Sequence, residues 1–133
     1  MSYDLILRQA LKLHDEGRLD EAERLYRQIL ETAPDHPVVL NLLGLVAQSK
    51  GLHEQAVSFF ARAVEQNPQS AEYHFNLAWS EERRGKAAEA IKAYLRALQL
   101  QPGIKEARNA LGNLYAGLGQ TERAREQYNQ AAL

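Results

Sequence analysis

Apolar positions fall into short stripes with helical spacing, and the stripes recur with a period of 34 residues. Ala22, Tyr26, Ile29 and Leu30 lie at i, i+4, i+7 and i+8, one face of a helix. The same stripe returns at Ala56, Phe60, Ala63 and Val64, at Ala90, Tyr94, Ala97 and Leu98, and at Ala124, Tyr128, Ala131 and Ala132. A looser stripe precedes each one, as in Leu40, Leu43, Gly44 and Ala47, or Leu111, Gly112 and Tyr115. The pattern predicts eight helices in four pairs, over residues 3–36, 37–70, 71–104 and 105–133. The last unit is shorter than the others by about five residues.

The polar punctuation keeps the same register. Gly17, Gly51, Gly85 and Gly119 each follow the first stripe of a pair, where a residue able to take positive φ ends a helix. Asp20, Glu21, Glu54, Glu89 and Glu122 follow in the first turn of the second helix, on the favourable side of its dipole. Pro34, Pro68 and Pro102 close the pairs by biasing Ala33, Asn67 and Gln101 away from helix. Pro37 suits the first turn of the third helix, and Ser70 suits the N-cap of the fifth. Small residues at Ala10, Gly44, Ala78 and Gly112 on the first helices face Ala22, Ala56, Ala90 and Ala124 on the second. Close approach of the two helices of each pair is therefore expected, with the aromatics filling the space between pairs.

Leu40, Leu43-Gly44, Ala47, Ala56, Phe60, Ala63 and Pro68, with Leu111-Gly112, Tyr115, Ala124, Tyr128 and Ala131, resemble the tetratricopeptide repeat. The resemblance covers residues 3 to 133. It implies an all-α fold, a right-handed α-solenoid of antiparallel helix hairpins forming one domain of four repeats. Gln9, His74, Arg108 and Glu81 depart from the family pattern, which has leucine, bulky apolar or aromatic residues at these places. At such positions polar ends are expected to reach water over buried stems.

Composition narrows the function. Sixteen basic and seventeen acidic residues give a formal net charge of −1, which offers no basis for nucleic-acid or anionic-membrane binding. The chain has no cysteine, so thiolate metal sites and disulfides are excluded. No segment approaches the ~20 apolar residues of a membrane span, and Leu5-Ile6-Leu7 is too short for a signal-peptide core. A cytoplasmic location is the resulting expectation. The chain lacks a P-loop, an HExxH, a GxSxG and a full dinucleotide fingerprint. His14, His36, His53 and His74 include no pair at i, i+3 or i+4 that could share a metal. The expectation is a protein without catalysis, metal or cofactor.

The resemblance also implies that the first helix of each unit lines a concave surface, through the fifth, ninth and twelfth positions. These are Leu7, Leu11 and His14; Asn41, Leu45 and Gln48; Phe75, Trp79 and Glu82; and Asn109, Asn113 and Ala116. Val38, Leu42 and Asn76 lie beside them. Leu7, Leu11, Leu45, Phe75 and Trp79 form an apolar strip suited to a protein partner. Asn41, Asn76, Asn109 and Asn113 add amides that can donate to and accept from an extended backbone. Asn76 matches the place where O-GlcNAc transferase-like tetratricopeptide proteins carry an asparagine ladder. Leu7, Leu11, Leu42, Glu72 and Asn76 replace the residues of the family's carboxylate clamp, so a chaperone-tail adaptor is not expected.

The leading expectation is a non-catalytic scaffold binding a partner peptide or helix on its concave face. Two alternatives stay open. One is self-association through a C-terminal end face with Tyr115, Tyr128, Ala131 and Leu133. The other is a substrate-selecting N-terminal arm of a larger transferase.

Overall fold

The structure is a computed structural model that describes residues 3–133. It contains α1 (Asp4–Asp15), α2 (Leu19–Thr32), α3 (Pro37–Ser49), α4 (His53–Gln66), α5 (Ala71–Arg83), α6 (Ala87–Leu100), α7 (Lys105–Gly117) and α8 (Thr121–Ala131). No strand occurs among the described residues. The helices pair as four hairpins, α1 with α2, α3 with α4, α5 with α6 and α7 with α8. They fall into two compact units, Met1–Asn67 and Pro68–Leu133, each of two hairpins. In the N-terminal unit α2 packs on α3, and in the C-terminal unit α6 packs on α7.

Each hairpin turns in the same way. Gly17, Gly51, Gly85 and Gly119 have φ of 78, 76, 78 and 77°, the left-handed region that a side chain would strain. In the first turn the Gly17 amide donates to the His14 carbonyl and the Arg18 amide to that of Leu13. This is a Schellman pair, and it satisfies two carbonyls that the end of α1 would otherwise leave without partners. The equivalent pairs recur from Gly51 and Leu52, Gly85 and Lys86, and Gly119 and Gln120.

The N-termini of the first helices are built less uniformly. Ser70 Oγ accepts from the Tyr73 amide at 3.2 Å, as its place before the third stripe predicts. Pro37 occupies the first turn of α3, and His36 before it caps the helix through Nδ1, which accepts from the Val39 amide at 3.4 Å.

The departures from the family pattern have a structural role at two positions. His74 is buried rather than reaching water, and its Nε2–H donates to the Pro68 carbonyl at 3.0 Å. Arg108, one period later, donates from Nε and Nη2 to the Pro102 carbonyl at 3.2 and 3.0 Å. In the N-terminal unit the equivalent first-helix residue is Leu40, and the Pro34 carbonyl is taken instead by Arg62 Nη2 at 3.2 Å. Proline stops the helix, and a nitrogen donor from a later helix then satisfies the proline's carbonyl. Glu81 pairs with Arg84, the C-cap of its own helix, at 2.9 Å, and Gln9 is exposed.

The N-terminal core gathers Ala10, Ala22, Tyr26, Ile29, Val39, Leu43 and Val46. The C-terminal core gathers Ala78, Ala90, Ala93, Tyr94, Leu98, Ala107, Leu111, Tyr115 and Ala124. Tyr26 thus packs against the following hairpin as well as its own, as does Tyr94. Glycine at two first-helix positions has a packing cause. A Cβ on Gly44 would stand 2.9 Å from Cζ of the Phe60 ring, and one on Gly112 would stand 2.8 Å from Cζ of Tyr128. Both are well inside van der Waals contact.

Candidate functional site

The second-helix aromatics cross the hairpin and, where they are tyrosines, deliver a hydroxyl to the first helix. Tyr26 Oη lies 2.9 Å from His14 Nδ1. Tyr94 O–H donates to Glu82 Oε1 at 2.8 Å. His14 and Glu82 are the same position of the repeat, four residues past Ala10 and Ala78. In the fourth hairpin the small residue is Gly112, and Tyr128 O–H donates instead to Asn113 Oδ1 at 2.6 Å. With no Cβ beneath it the ring lies over Gly112, and its hydroxyl emerges one turn earlier on the first helix. The position equivalent to His14 and Glu82 is Ala116 in this hairpin, which has no side-chain acceptor to offer.

The Tyr26 and Tyr94 hydroxyls stay protonated. Burial, with a smaller contribution from Asp15, pushes Tyr26 up to about 12. Burial and the Glu82 carboxylate push Tyr94 further in the same direction, with Arg83 opposing. A buried phenol needs a partner, and here each finds one on the first helix.

The sequence-predicted face is distributed between the two units. In the N-terminal unit Leu7 is half-buried and packs on the core, Leu11 is 37% exposed, and Leu45 is half-buried. Asn41 is buried and has polar company, which places it in the framework of α3. In the C-terminal unit Phe75 is half-buried, with its ring edge-on to Tyr94 at a centroid distance of 5.7 Å. Trp79 is half-buried, and the Arg83 guanidinium lies over its ring at 4.5 Å. Asn76 is buried like Asn41, whereas Asn109 and Asn113 are exposed on α7. Trp79 and Asn113 are one period apart, as are Phe75 and Asn109, so α5 and α7 present equivalent positions.

Glu82 stands on this face as its place in the repeat predicts, and the tyrosine contacts to His14, Glu82 and Asn113 are what the sequence reading does not contain. The available signal was chemical: three of the four aromatic positions carry tyrosine, whose hydroxyl needs somewhere to go.

The C-terminal end is less apolar than the stripe alone suggests. Tyr115 and Ala131 are buried, while Tyr128 is 39% and Leu133 89% exposed. α8 has Arg125, Gln127 and Asn129 where α4 has Val57, Phe59 and Ala61 and α6 has Ile91, Ala93 and Leu95. Among the described residues no helix is long and apolar enough to cross a membrane, and no group of histidines and acids could hold a metal ion.

Models of the tetratricopeptide repeat match residues 13–78, 71–104 and 93–126. The chain belongs to the tetratricopeptide repeat family. Superkiller complex protein 3 of Homo sapiens is 31% identical over 96% of this chain, which spans 8% of that protein. The TPR repeat-containing thioredoxin TTL4 of Arabidopsis thaliana is 33% identical over 62% of the chain, equal to 12% of its own length. Cellulose synthase operon protein C of Pseudomonas fluorescens is 26% identical over 94% of the chain and 10% of its own. The chain thus spans about a tenth of the length of these curated relatives. Among solved structures, a crystal structure of MamA protein has a TM-score of 0.92 at 26% identity, covering 97% of this chain and 70% of its own. A second MamA crystal structure has a TM-score of 0.88 at 27% identity, covering 92% and 71%. The fold is the all-α solenoid of this family, and protein binding is the role that the repeats support.

Proposed function

We propose that this chain is a non-catalytic scaffold that holds an extended segment or short helix of a partner protein on its first-helix faces. The observation that carries this reading is the α5–α7 face. Trp79 and Phe75 stand half-buried on α5, and the Asn109 and Asn113 amides stand at the equivalent positions of α7. Aromatic anchors beside backbone-reading amides suit a peptide better than a small molecule. Leu11 and Leu45 offer the N-terminal unit a smaller apolar counterpart. Self-association through α8 fits less well, because Arg125, Gln127 and Asn129 make its surface polar.

Selection of displayed random peptides on the immobilised protein tests the reading. Peptides enriched on the wild type should lose binding to a Trp79→Ala, Asn113→Ala variant. They should keep it on a control with Arg24→Ala and Lys92→Ala, exposed second-helix residues. Equal binding to all three proteins would defeat the assignment of the face.

A further inference from the structure

Four carboxylates in the described chain are half-buried: Glu21, Glu23, Glu81 and Glu82. Three of them have a cation within reach. Glu21 pairs with Arg18 at 2.7 Å, Glu23 with Arg27 at 2.8 Å and Lys50 at 3.0 Å, and Glu81 with Arg84 at 2.9 Å. Among the described residues Glu82 makes no ion pair, and its hydrogen bond is the one from Tyr94 to Oε1. The neighbouring Arg83 acts on this site only at a distance, because its guanidinium lies over Trp79 and makes no ion pair with Glu82. A half-buried carboxylate with one hydrogen bond keeps acceptor capacity for a further donor.

The surroundings of Glu82 are those of a receptor for a cation. Tyr94 fixes the carboxylate from below through Oε1, which leaves Oε2 to an incoming donor. Trp79 lies one turn earlier on the same face, with the Arg83 guanidinium already over its ring. On the equivalent position of α7, Tyr128 holds Asn113 by Oδ1. The Asn113 amide nitrogen is thereby presented as a donor to a backbone carbonyl.

We propose that the α5–α7 face selects partner segments that carry a lysine or arginine, with that side chain paired to Glu82 and its stem laid along Trp79. The proposal rests on the peptide-binding reading above and adds the chemistry of the residue recognised. In this arrangement Glu82 sets specificity, Trp79 supplies apolar area, and Tyr94 is a positioning residue that acts through Glu82.

The same display selection tests it. Peptides enriched on the wild type should share a basic residue at one recurring position. In fluorescence anisotropy titrations Glu82→Gln should weaken such a peptide about tenfold, the scale of one charge-assisted hydrogen bond. The variant keeps an acceptor for Tyr94, so the hairpin is retained, and circular dichroism verifies this. Tyr94→Phe should weaken the basic peptide by about threefold and spare a peptide whose basic residue is replaced by glutamine. Glu82→Lys should reverse the preference toward a peptide with glutamate at that position. Enriched peptides with no basic position, or equal loss for basic and glutamine peptides on Glu82→Gln, would overturn the proposal and leave peptide binding standing. Failure to enrich any peptide would overturn both readings.

Discussion

Replacing Gly44 by alanine places two effects in opposition. Alanine is the better helix former, by roughly 0.5–1 kcal/mol over glycine inside a helix. Its Cβ would stand 2.5 and 2.9 Å from Cδ1 and Cζ of the Phe60 ring, where carbon atoms prefer about 3.5–4.0 Å. The ring must therefore retreat by about 1 Å to restore that spacing. Phe60 is 0% exposed and has no open side to move toward. Overpacking of this kind costs about 1–3 kcal/mol, so the net expectation is a loss of about 1–2 kcal/mol. Gly112→Ala provides the internal control. Its Cβ meets Tyr128 at a similar 2.7 and 2.8 Å, but Tyr128 is 39% exposed and can swing into solvent. Helix propensity then offsets most of the cost, and the variant should lie within about 0.5 kcal/mol of wild type. Urea titrations followed by far-ultraviolet circular dichroism measure both. At typical slopes of about 1–3 kcal/mol per molar, the Gly44 variant should lose roughly 0.5–1.5 M of midpoint. Equal midpoints for the two variants, or a more stable Gly44→Ala, would refute the reasoning that ring mobility decides the outcome.

Other consequences can be checked with the same titration. Ser80 is fully buried and its hydroxyl lacks a hydrogen-bond partner, so Ser80→Ala should stabilise by about 1 kcal/mol; exposed Ser58→Ala measures the share due to helix propensity. Arg108→Ala leaves the Pro102 carbonyl without its donor and should cost about 1 kcal/mol. Lys50 holds Asp20 below its ordinary range, and at Glu23 the hydrogen bonds from Arg27 and Lys50 outweigh burial and do the same. A depressed carboxylate contributes stability above its unfolded value, about 4, and loses it as pH falls. Wild type should therefore lose stability below about pH 4 more steeply than Lys50→Gln. Tyr26 titrates in the opposite sense: raised to about 12, it favours the fold below pH ~10 and ceases to as pH rises through its folded value. Tyr26→Phe should flatten that alkaline decline.

The sequence carries the helices in its spacing because each repeat obeys the same local rules. Stripes at i, i+4, i+7 and i+8, positive-φ glycines and period prolines are all short-range signals, and they place every hairpin. The face is harder to read. Asn41 and Asn76 look like ladder residues by type, but their burial depends on how neighbouring helices pack. Glu82 looks like an ordinary surface acid until Tyr94 is seen to reach it from the second helix. His74 and Arg108 read as exceptions because their partners, Pro68 and Pro102, are backbone carbonyls that residue identity does not reveal.

The three proline carbonyls make the joints between the four repeats chemically unlike one another. Pro34 is satisfied by an arginine from the second helix of the following hairpin, Pro68 by a histidine on the first helix, and Pro102 by an arginine on the first helix. Each turn thus depends on the identity of one residue in the hairpin after it. A rearranged chain with its second and third repeats exchanged would keep every stripe and every glycine in register. It would present Leu40 to Pro102, which Arg108 serves here, and leave that carbonyl to Arg62 of the same hairpin. Each hairpin after the first thus brings its own donor for the proline before it, and what an exchange alters is the kind of donor each joint receives.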